Sequence, residues 1–507
     1  MPQTGTQTQV KVQPQALTPT YNETIVVLES PNIQSTNFKW LVDIYKGVVG
    51  DPDYALLSTI VILPNPDGYG VIDFHRHIEN YITTSFFPAD ITNLSERVFD
   101  DGLKWSYQAT EQFSKPVWRF EDNFTSSGTF VGWTSSVDKH PYIVGDFINI
   151  TQDPGFTHAS YEGLATVTVI IDEYTVLTDK IYAGVTPPEA GLSELSSSIS
   201  TFIPDTEVRF IEQTLTLAQT TNYSFNGVFT FQDYRNYLST DYTLTSTSPV
   251  TTKFLLAGPR EFNVSLSDRV WINSVIGTPK WDGHIIASNN GTYAVSQSYS
   301  ASGQHFINQN KVGPKDFLET LDTPIALTGS LPVVDANTTY ITVTPVANGG
   351  TPVGETVTLN IVDDCSKYEA IRFFYLDKLG SYLPVTFNKV NRTNISNTRS
   401  NYRQNYGSYD SVANAWGYTT YARGTTTYDL NSKEIVTCTS DWMDEVGVSM
   451  VVDMLNSPSV YIQDDNGEYI AITITTNTYE VKKTVNDKLL NYTLTFEYAQ
   501  MNGNQRG

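Results

Sequence analysis

Residue types that do chemistry rarely stand close together in this chain. His75 and His77 flank Arg76. On a helix, side chains two residues apart point to different sides, so a shared metal ion is awkward there. On a strand they would share a face, but a set of cysteine or carboxylate partners at ligand spacing is not evident. His140, His158, His284 and His305 are isolated and read as surface or hydrogen-bonded polar residues. Asp363-Asp364 and Asp464-Asp465 are acidic pairs of the kind that serve as glycosidase carboxylates or calcium ligands. At turns, however, such pairs are ordinarily turn formers, and the alternating EF-hand pattern is absent. Cys365 and Cys438 are the only cysteines, and no CxxC motif accompanies them, so no structural zinc site is expected. Gly-x-Ser-x-Gly, P-loop and Gly-x-Gly-x-x-Gly motifs are missing too. The expectation is a non-enzymatic protein with no catalytic residue, metal or cofactor.

Aromatic side chains offer a different chemistry. The chain holds eight tryptophans and 31 tyrosines. Most suit β-sheet cores, but tyrosine, tryptophan and arginine also anchor subunit interfaces and stack on sugar rings. They gather in a polar tract, residues 391–428, that is longer than an ordinary connection and reads as a functional loop. Arg399, Tyr402, Arg403, Tyr406, Tyr409, Trp416, Tyr418, Tyr421 and Arg423 are the candidate intersubunit contacts. The arginines suit acidic patches on neighbouring subunits, because the 507-residue chain carries a net charge of −23. That charge repels phosphate backbones and argues against nucleic-acid binding.

Composition sets the frame for these residues. Only 17% of residues are charged, against roughly 25% in ordinary soluble domains. Threonine and tyrosine, which favour strands, are common, while strong helix formers are scarce. The start, MPQTGTQTQVKVQPQ, lacks the apolar core of a signal peptide, and no stretch approaches the ~18 apolar residues of a membrane span.

Pattern then divides the chain. Residues 1–13 read as a flexible arm rich in glutamine and threonine. Residues 14–140 alternate in short apolar runs broken by dense turn clusters such as Pro64-Asn-Pro-Asp-Gly68, which fits an immunoglobulin-like β-sandwich. A short helix follows, with Asp73 placed to cap it. Residues 141–190 suit a small SH3-like or OB-like barrel, and Pro187 to Ser198 a linker. Residues 191–362 read as a second sandwich module. Its start echoes the first, since Gly70-Val-Ile-Asp-Phe74 resembles Gly227-Val-Phe-Thr-Phe231. Residues 363–507 read as an α+β domain with hairpins at 371–387 and 460–474 and a helix that Ser440 caps.

Two stretches resemble virion structural proteins of crAss-like and related tailed phages of Bacteroidetes. One is Thr36-Asn-Phe-Lys-Trp-Leu-Val-Asp-Ile-Tyr45 with Pro64-Asn-Pro-Asp-Gly-Tyr-Gly-Val-Ile-Asp73. The other joins Tyr368-Glu-Ala-Ile-Arg-Phe-Phe-Tyr-Leu-Asp-Lys-Leu-Gly380, Asn456-Ser-Pro-Ser-Val-Tyr461 and Asn486-Asp-Lys-Leu-Leu-Asn-Tyr-Thr-Leu-Thr-Phe-Glu-Tyr498. These motifs are architectural, so the resemblance implies a building block of a short tail whose rings stack beneath a portal. The expected role is a tail ring or collar subunit that forms a closed sixfold or twelvefold ring. It would contact portal and tail neighbours, reside in the virion, and pass through the host cytoplasm during assembly. The alternative is a receptor- or carbohydrate-binding tail protein, with host glycan as its ligand.

Overall fold

The computed structural model describes residues 9–34, 36–47, 50–84, 86, 95–98, 102–116, 118–120, 122–126, 130–135, 139–140, 142–152, 163–181, 191–195, 208–215, 222–277, 283–296, 306–319, 327–328, 334–347, 350–362, 367–464, 468–476 and 490–500. Among them the chain is mainly β and built from several separate sheets, as composition implied. Four α-helices accompany the strands: α1 (His75–Ile78), α2 (Phe231–Asn236), α3 (Pro314–Glu319) and α4 (Glu445–Leu455). None of the described helices is long and apolar enough to cross a membrane. Contacts divide the chain into two units, residues 1–80 with 103–224, and residues 81–102 with 225–507.

The first unit is a sandwich. Strand β1 (Thr36–Lys46) pairs antiparallel with β2 (Ala55–Ile62) on one side and β3 (Gly102–Pro116) on the other. Trp40, Val42 and Ile44 point inward and are fully buried, while Leu41, Asp43 and Tyr45 between them are only partly covered. This is the two-residue period of a half-buried strand. Leu17–Pro19 and Asn222–Phe225 complete the six-stranded sheet together with β4 (Val208–Leu215), which pairs with β3. Gln9–Val12, Ile25–Glu29 and Tyr69–Asp73 form the facing three-stranded sheet. The two sheets meet where Trp40 lies against Gly70. A Cβ on Gly70 would fall 2.8 Å from the indole ring. The buried Trp105 indole N–H donates to Ser224 Oγ at 3.0 Å, which satisfies the polar end of an otherwise apolar side chain.

Between β3 and β4 the chain builds a third sheet with its own core. Seven strands run in the order Asp122–Ser126, Phe130–Thr134, Thr175–Ile181, Gly163–Asp172, Phe147–Gln152, Gly191–Leu195, Trp118–Phe120. Val131, Trp133, Ile148, Ile150, Val167 and Val176 are buried together. The expected barrel over 141–190 is therefore corrected: among the described residues the sheet is not closed, and it takes strands from both flanks of that range. Short alternating strands announce themselves in sequence, but where a ladder ends depends on distant partners. Gly191–Leu195, expected in a linker, pairs with Phe147–Gln152. Likewise Gln9–Val12, expected in a free arm, pairs with Ile25–Glu29; residues 1–8 lie outside the described residues.

The second unit sets two large sheets around one core. The eleven-stranded sheet runs from Asn391–Arg403 through Thr425–Thr439, Thr493–Tyr498, Tyr469–Ile474, Val460–Gln463, Ile371–Leu376 and Tyr382–Phe387 to β5 (Trp271–Ile276), β6 (Phe306–Lys311) and Ser95–Val98, with Thr243–Leu244 paired to β5 as the eleventh. The other sheet orders Glu261–Val264, Val357–Ile361, Tyr340–Ala347, Gly283–Ser288, Gly291–Ser296 and Leu327–Thr328. The boundary expected between 362 and 363 is not structural, because Trp271 pairs with Tyr382 across it. Residues from both sides also share one core, including Val343, Leu359, Phe373 and Phe496. Helix α4 packs Val448, Met450, Val451 and Met454 into the protein. Its cap is Asp444, whose side chain accepts from Gly447 N at 2.9 Å. Ser440, the expected cap, instead accepts from Tyr492 N at 2.8 Å. At α1 the N-cap is Phe74, with Asp73 accepting from His75 N at 3.2 Å. The internal echo holds only in part. Thr230 caps α2, but residues 227–230 form no strand, unlike Tyr69–Asp73.

Buried charge fixes the base of β5. Asp316 on α3 accepts from Arg269 Nη1 at 3.1 Å, Trp271 Nε1 at 3.2 Å, and the amides of Gly313 and Val270 at 3.0 and 3.3 Å. Burial pushes the Asp316 carboxyl above its usual range, and the adjacent Arg269 guanidinium opposes that shift. Removing one partner of a buried pair strands the other charge, at a cost of about 3–5 kcal/mol. Asp316→Ala is accordingly expected to lower unfolding free energy by about that amount in urea denaturation. Asp377 is a different case. Burial pushes its carboxyl up to about 6 although the amides of Ala257, Leu379 and Ser381 donate to it. The folded state then holds a proton that the unfolded state has released, so this contribution to stability is complete below about pH 4 and is lost as pH rises through 6. Relative to the parent, Asp377→Asn should gain about 2–3 kcal/mol between pH 4 and pH 8, measured by urea midpoints at each pH.

Candidate assembly interface

The polar tract expected as a loop is a β-ribbon. It comprises β7 (Asn391–Arg403), β8 (Gly407–Asp410), β9 (Ala415–Tyr418) and β10 (Thr425–Thr439), followed in the sheet by β11 (Thr493–Tyr498). β7 and β10 pair antiparallel from Asn391 with Cys438 to Arg403 with Thr425. Their sequences are rich in threonine, serine and asparagine, so the backbone ladder forms without an apolar face. That is why no two-residue hydrophobic period shows in the sequence.

The root is firm. β11 pairs with β10 only from Ile435 to Thr439. There Val436 and Cys438 are buried beside Leu494 and Phe496. Lys433 reaches back to Glu497 with an ion pair at 3.1 Å. Beyond that point the ribbon has no described neighbour strand, and residues 396–399 and 401–403 of β7 are exposed. At ~3.3 Å per residue, residues 395–403 carry the ribbon about 30 Å past its root. A register shift between Ser400 and Asn401 adds the local twist of a bulge, and there the rings of Tyr402 and Tyr428 approach to 6.2 Å.

The tip is folded by its aromatic residues. Gln404 closes the neck, its amide donating to Gly424 O at 3.0 Å and its side chain to Thr426 Oγ1 at 3.1 Å. β8 and β9 pair Tyr409 with Trp416. Asp410 accepts from the amides of Val412 and Ala413 at 2.8 and 3.2 Å and holds the turn. The Tyr409 hydroxyl donates to Asn414, which takes the left-handed backbone that asparagine tolerates. Trp416 packs against Gly407, where a Cβ would come within 2.0 Å of the indole nitrogen. This covering of a backbone glycine by a cross-strand ring replaces the missing core.

All nine residues expected at an intersubunit contact belong to this ribbon. Arg399, Tyr402 and Arg403 lie on β7 and Tyr406 at the neck; Tyr409 is on β8, and Trp416 and Tyr418 are on β9; Tyr421 and Arg423 lead into β10. Tyr418 is 64% and Tyr421 84% exposed. Sequence reasoning missed Ile395 and Val412, which are 69% and 95% exposed. A lone apolar residue among polar ones carries no signal until its strand is known to leave the body. Residues 391–428 hold four arginines against the single carboxylate of Asp410, a net charge of +3 in a chain of −23. Of the acidic pairs, Asp363-Asp364 lies outside the described residues, as does Asp465. Among the described residues no three histidine, cysteine or carboxylate side chains gather as metal ligands.

No family model matches the chain, and no curated protein sequence matches it. Among solved structures it is similar, at 7% identity and a TM-score of 0.12, to the native conformation of E. coli alpha-2-macroglobulin determined by cryo-EM. That match covers 96% of this chain and 40% of the other, and a TM-score this low carries no argument.

A branched side chain at Gly407 should expel Trp416 and unfold the tip alone. Gly407→Val is expected to speed tryptic cleavage at Arg403 and Arg423 at least about tenfold, a local opening. The unfolding free energy of the whole protein in urea should stay within about 0.5 kcal/mol of the parent, as for changes away from the core.

Proposed function

We propose that this chain is a structural subunit of a bacteriophage virion, a tail ring or collar protein that closes into a cyclic homo-oligomer by laying its ribbon on the adjacent copy. The observation that carries the assembly part is the ribbon itself. A two-stranded ribbon exposed on both faces has little stability of its own in water. A basic arm on an acidic chain is complementary to other copies of that chain. The phage part rests on the resemblance of residues 36–73 and 368–498 to virion proteins of crAss-like phages. Sixfold or twelvefold closure, contacts with portal and tail neighbours, and residence in the virion tail belong to the same proposal. So does the absence of catalysis.

One observation favours a second reading. Trp416, Tyr418 and Tyr421 present half or more of their surface at the tip, an arrangement that could stack on sugar rings of a host glycan. An adhesin of this kind would label host cells as a fluorescent monomer, and tip substitutions would remove that labelling.

The assembly reading is tested by trimming the arm. Residues 396–433 are replaced by Asn-Gly, which closes the Ile395–Glu434 pair with a two-residue hairpin turn. The expected outcome is a monomer by mass photometry at concentrations where the parent forms closed oligomers, with the unfolding free energy in urea preserved to about 1 kcal/mol, the scale of the surface ion pair removed. The parent oligomer should also weaken as salt rises, because exposed opposite charges are screened. A trimmed protein that still closes into the same oligomer would refute the assembly role.

A further inference from the structure

We propose that the free edge of β2 is the receiving site for the arm: β7 of a neighbouring copy adds to it as an extra antiparallel or parallel strand. This rests on the reading of the ribbon as an assembly arm and names its acceptor.

Every open sheet ends in two strands with a row of unpaired N–H and C=O groups, and proteins blunt such edges with short strands, charge or proline. Most of the sheet ends follow that rule. Gln9–Val12 is four residues long and carries Lys11, and Tyr69–Asp73 ends in an aspartate. Leu17–Pro19 and Trp118–Phe120 have three residues each, and Asp122–Ser126 begins with a charge. Glu261–Val264 and Ser95–Val98 have four, and Leu327–Thr328 two. β7 is thirteen residues long but carries three arginines. β2 is the end that does not follow the rule: it is eight residues, Ala-Leu-Leu-Ser-Thr-Ile-Val-Ile, without a charge or a proline. Among the described residues β2 pairs with β1 alone, and Leu56 and Val61 are more than half exposed on it.

The two edges are complementary. The nine residues of β7 beyond its root match the eight of β2 in length. β7 carries Arg392, Arg399 and Arg403 and no carboxylate. Residues 43–67, which hold β2 and its flanking turns, carry Asp43, Asp51, Asp53 and Asp67 against one lysine, Lys46. Lys46 is already engaged by Asp53, and Asp51 by Lys104. Asp43 stands on β1 next to β2, accepting the hydroxyls of Thr59 at 2.5 Å and Tyr45 at 3.4 Å, and no cation among the described residues forms an ion pair with it. The exposed Ile395 of β7 supplies an apolar contact for exposed Val61 or Leu63.

Cysteine pairing between copies tests the site. On a Cys365→Ser background, Thr59→Cys protein is mixed with protein bearing Ser396→Cys, Thr398→Cys or Ser400→Cys, three positions on one face of β7. Strand neighbours hold their Cβ atoms near disulfide range, so at least one mixture should yield an intermolecular disulfide under mild oxidation. Val61→Lys, which sets a cation on an exposed position facing the arginines, should weaken assembly at least tenfold while the urea midpoint is unchanged; Val61→Thr should assemble normally. Absence of every mixed disulfide, together with normal assembly of Val61→Lys, overturns the β2 site. If the trimmed arm still abolishes assembly in that case, the arm reading stands without it. Thr59→Cys protein that cross-links only to itself also overturns the proposal, since β2 would then pair with β2. Normal assembly of the trimmed protein removes both.

Discussion

Backbone groups at the ends of open sheets are the constraint on which this protein turns. A sheet interior satisfies its N–H and C=O groups by pairing, and its ends must find water or another chain. Here the ladder that ends in the ribbon is anchored where β10 meets β11, with Val436 and Cys438 sealed against Leu494 and Phe496. Burial pushes the Cys438 thiol up to about 12, so the anchor is an apolar contact and not a reactive thiolate. Because five consecutive residues of β10 are held this way, the exposed remainder leaves the body along a fixed strand direction. The arm is therefore oriented by the core of its own unit before it touches anything.

Much of this unit was legible in sequence where strands pair with near neighbours. The hairpin of Ile371–Leu376 with Tyr382–Phe387 and that of Val460–Gln463 with Tyr469–Ile474 both stand as read. The first is a pair of short apolar runs and the second alternates, and their turns carry glycine or aspartate. Pairings over long separations left no local trace. Trp271 beside Tyr382 joins segments about a hundred residues apart, so a domain boundary drawn from composition fell across a continuous sheet. The ribbon was visible as a polar, aromatic and arginine-rich tract but not as strands, since a strand exposed on both faces has no hydrophobic period. Its candidate residues were picked by type, and only the ladder from Asn391 to Arg403 shows that they share one projecting element. The β2 edge went unremarked because Ala55–Ile62 reads like any interior strand. Which strand ends a sheet is decided by partners elsewhere in the chain.

Polarity of the arm is also a solution to a folding problem. An apolar ribbon of this length would make each free subunit an aggregation hazard, whereas threonine, serine and asparagine keep the unpaired arm solvated. The cost is that the arm carries little hydrophobic driving force along its shaft. Binding strength must then come from the aromatic tip, where exposed tyrosine and tryptophan would act as anchors once a partner covers them, and from the backbone ladder itself.

Charge supplies what the ladder lacks, which is register. Backbone hydrogen bonds repeat every two residues and cannot tell one alignment from another, so a slip along the strand costs them nothing. Arg392, Arg399 and Arg403 are unevenly spaced along β7, and Asp43 and Asp67 stand at different points around β2. At physiological salt the Debye length is about 8 Å, so these groups feel one another only near contact. They would choose an alignment at the last step of docking and do little to draw subunits together from afar. Two bodies that each carry excess negative charge would then stay apart until an arm is correctly placed, which favours closed assemblies over random aggregates.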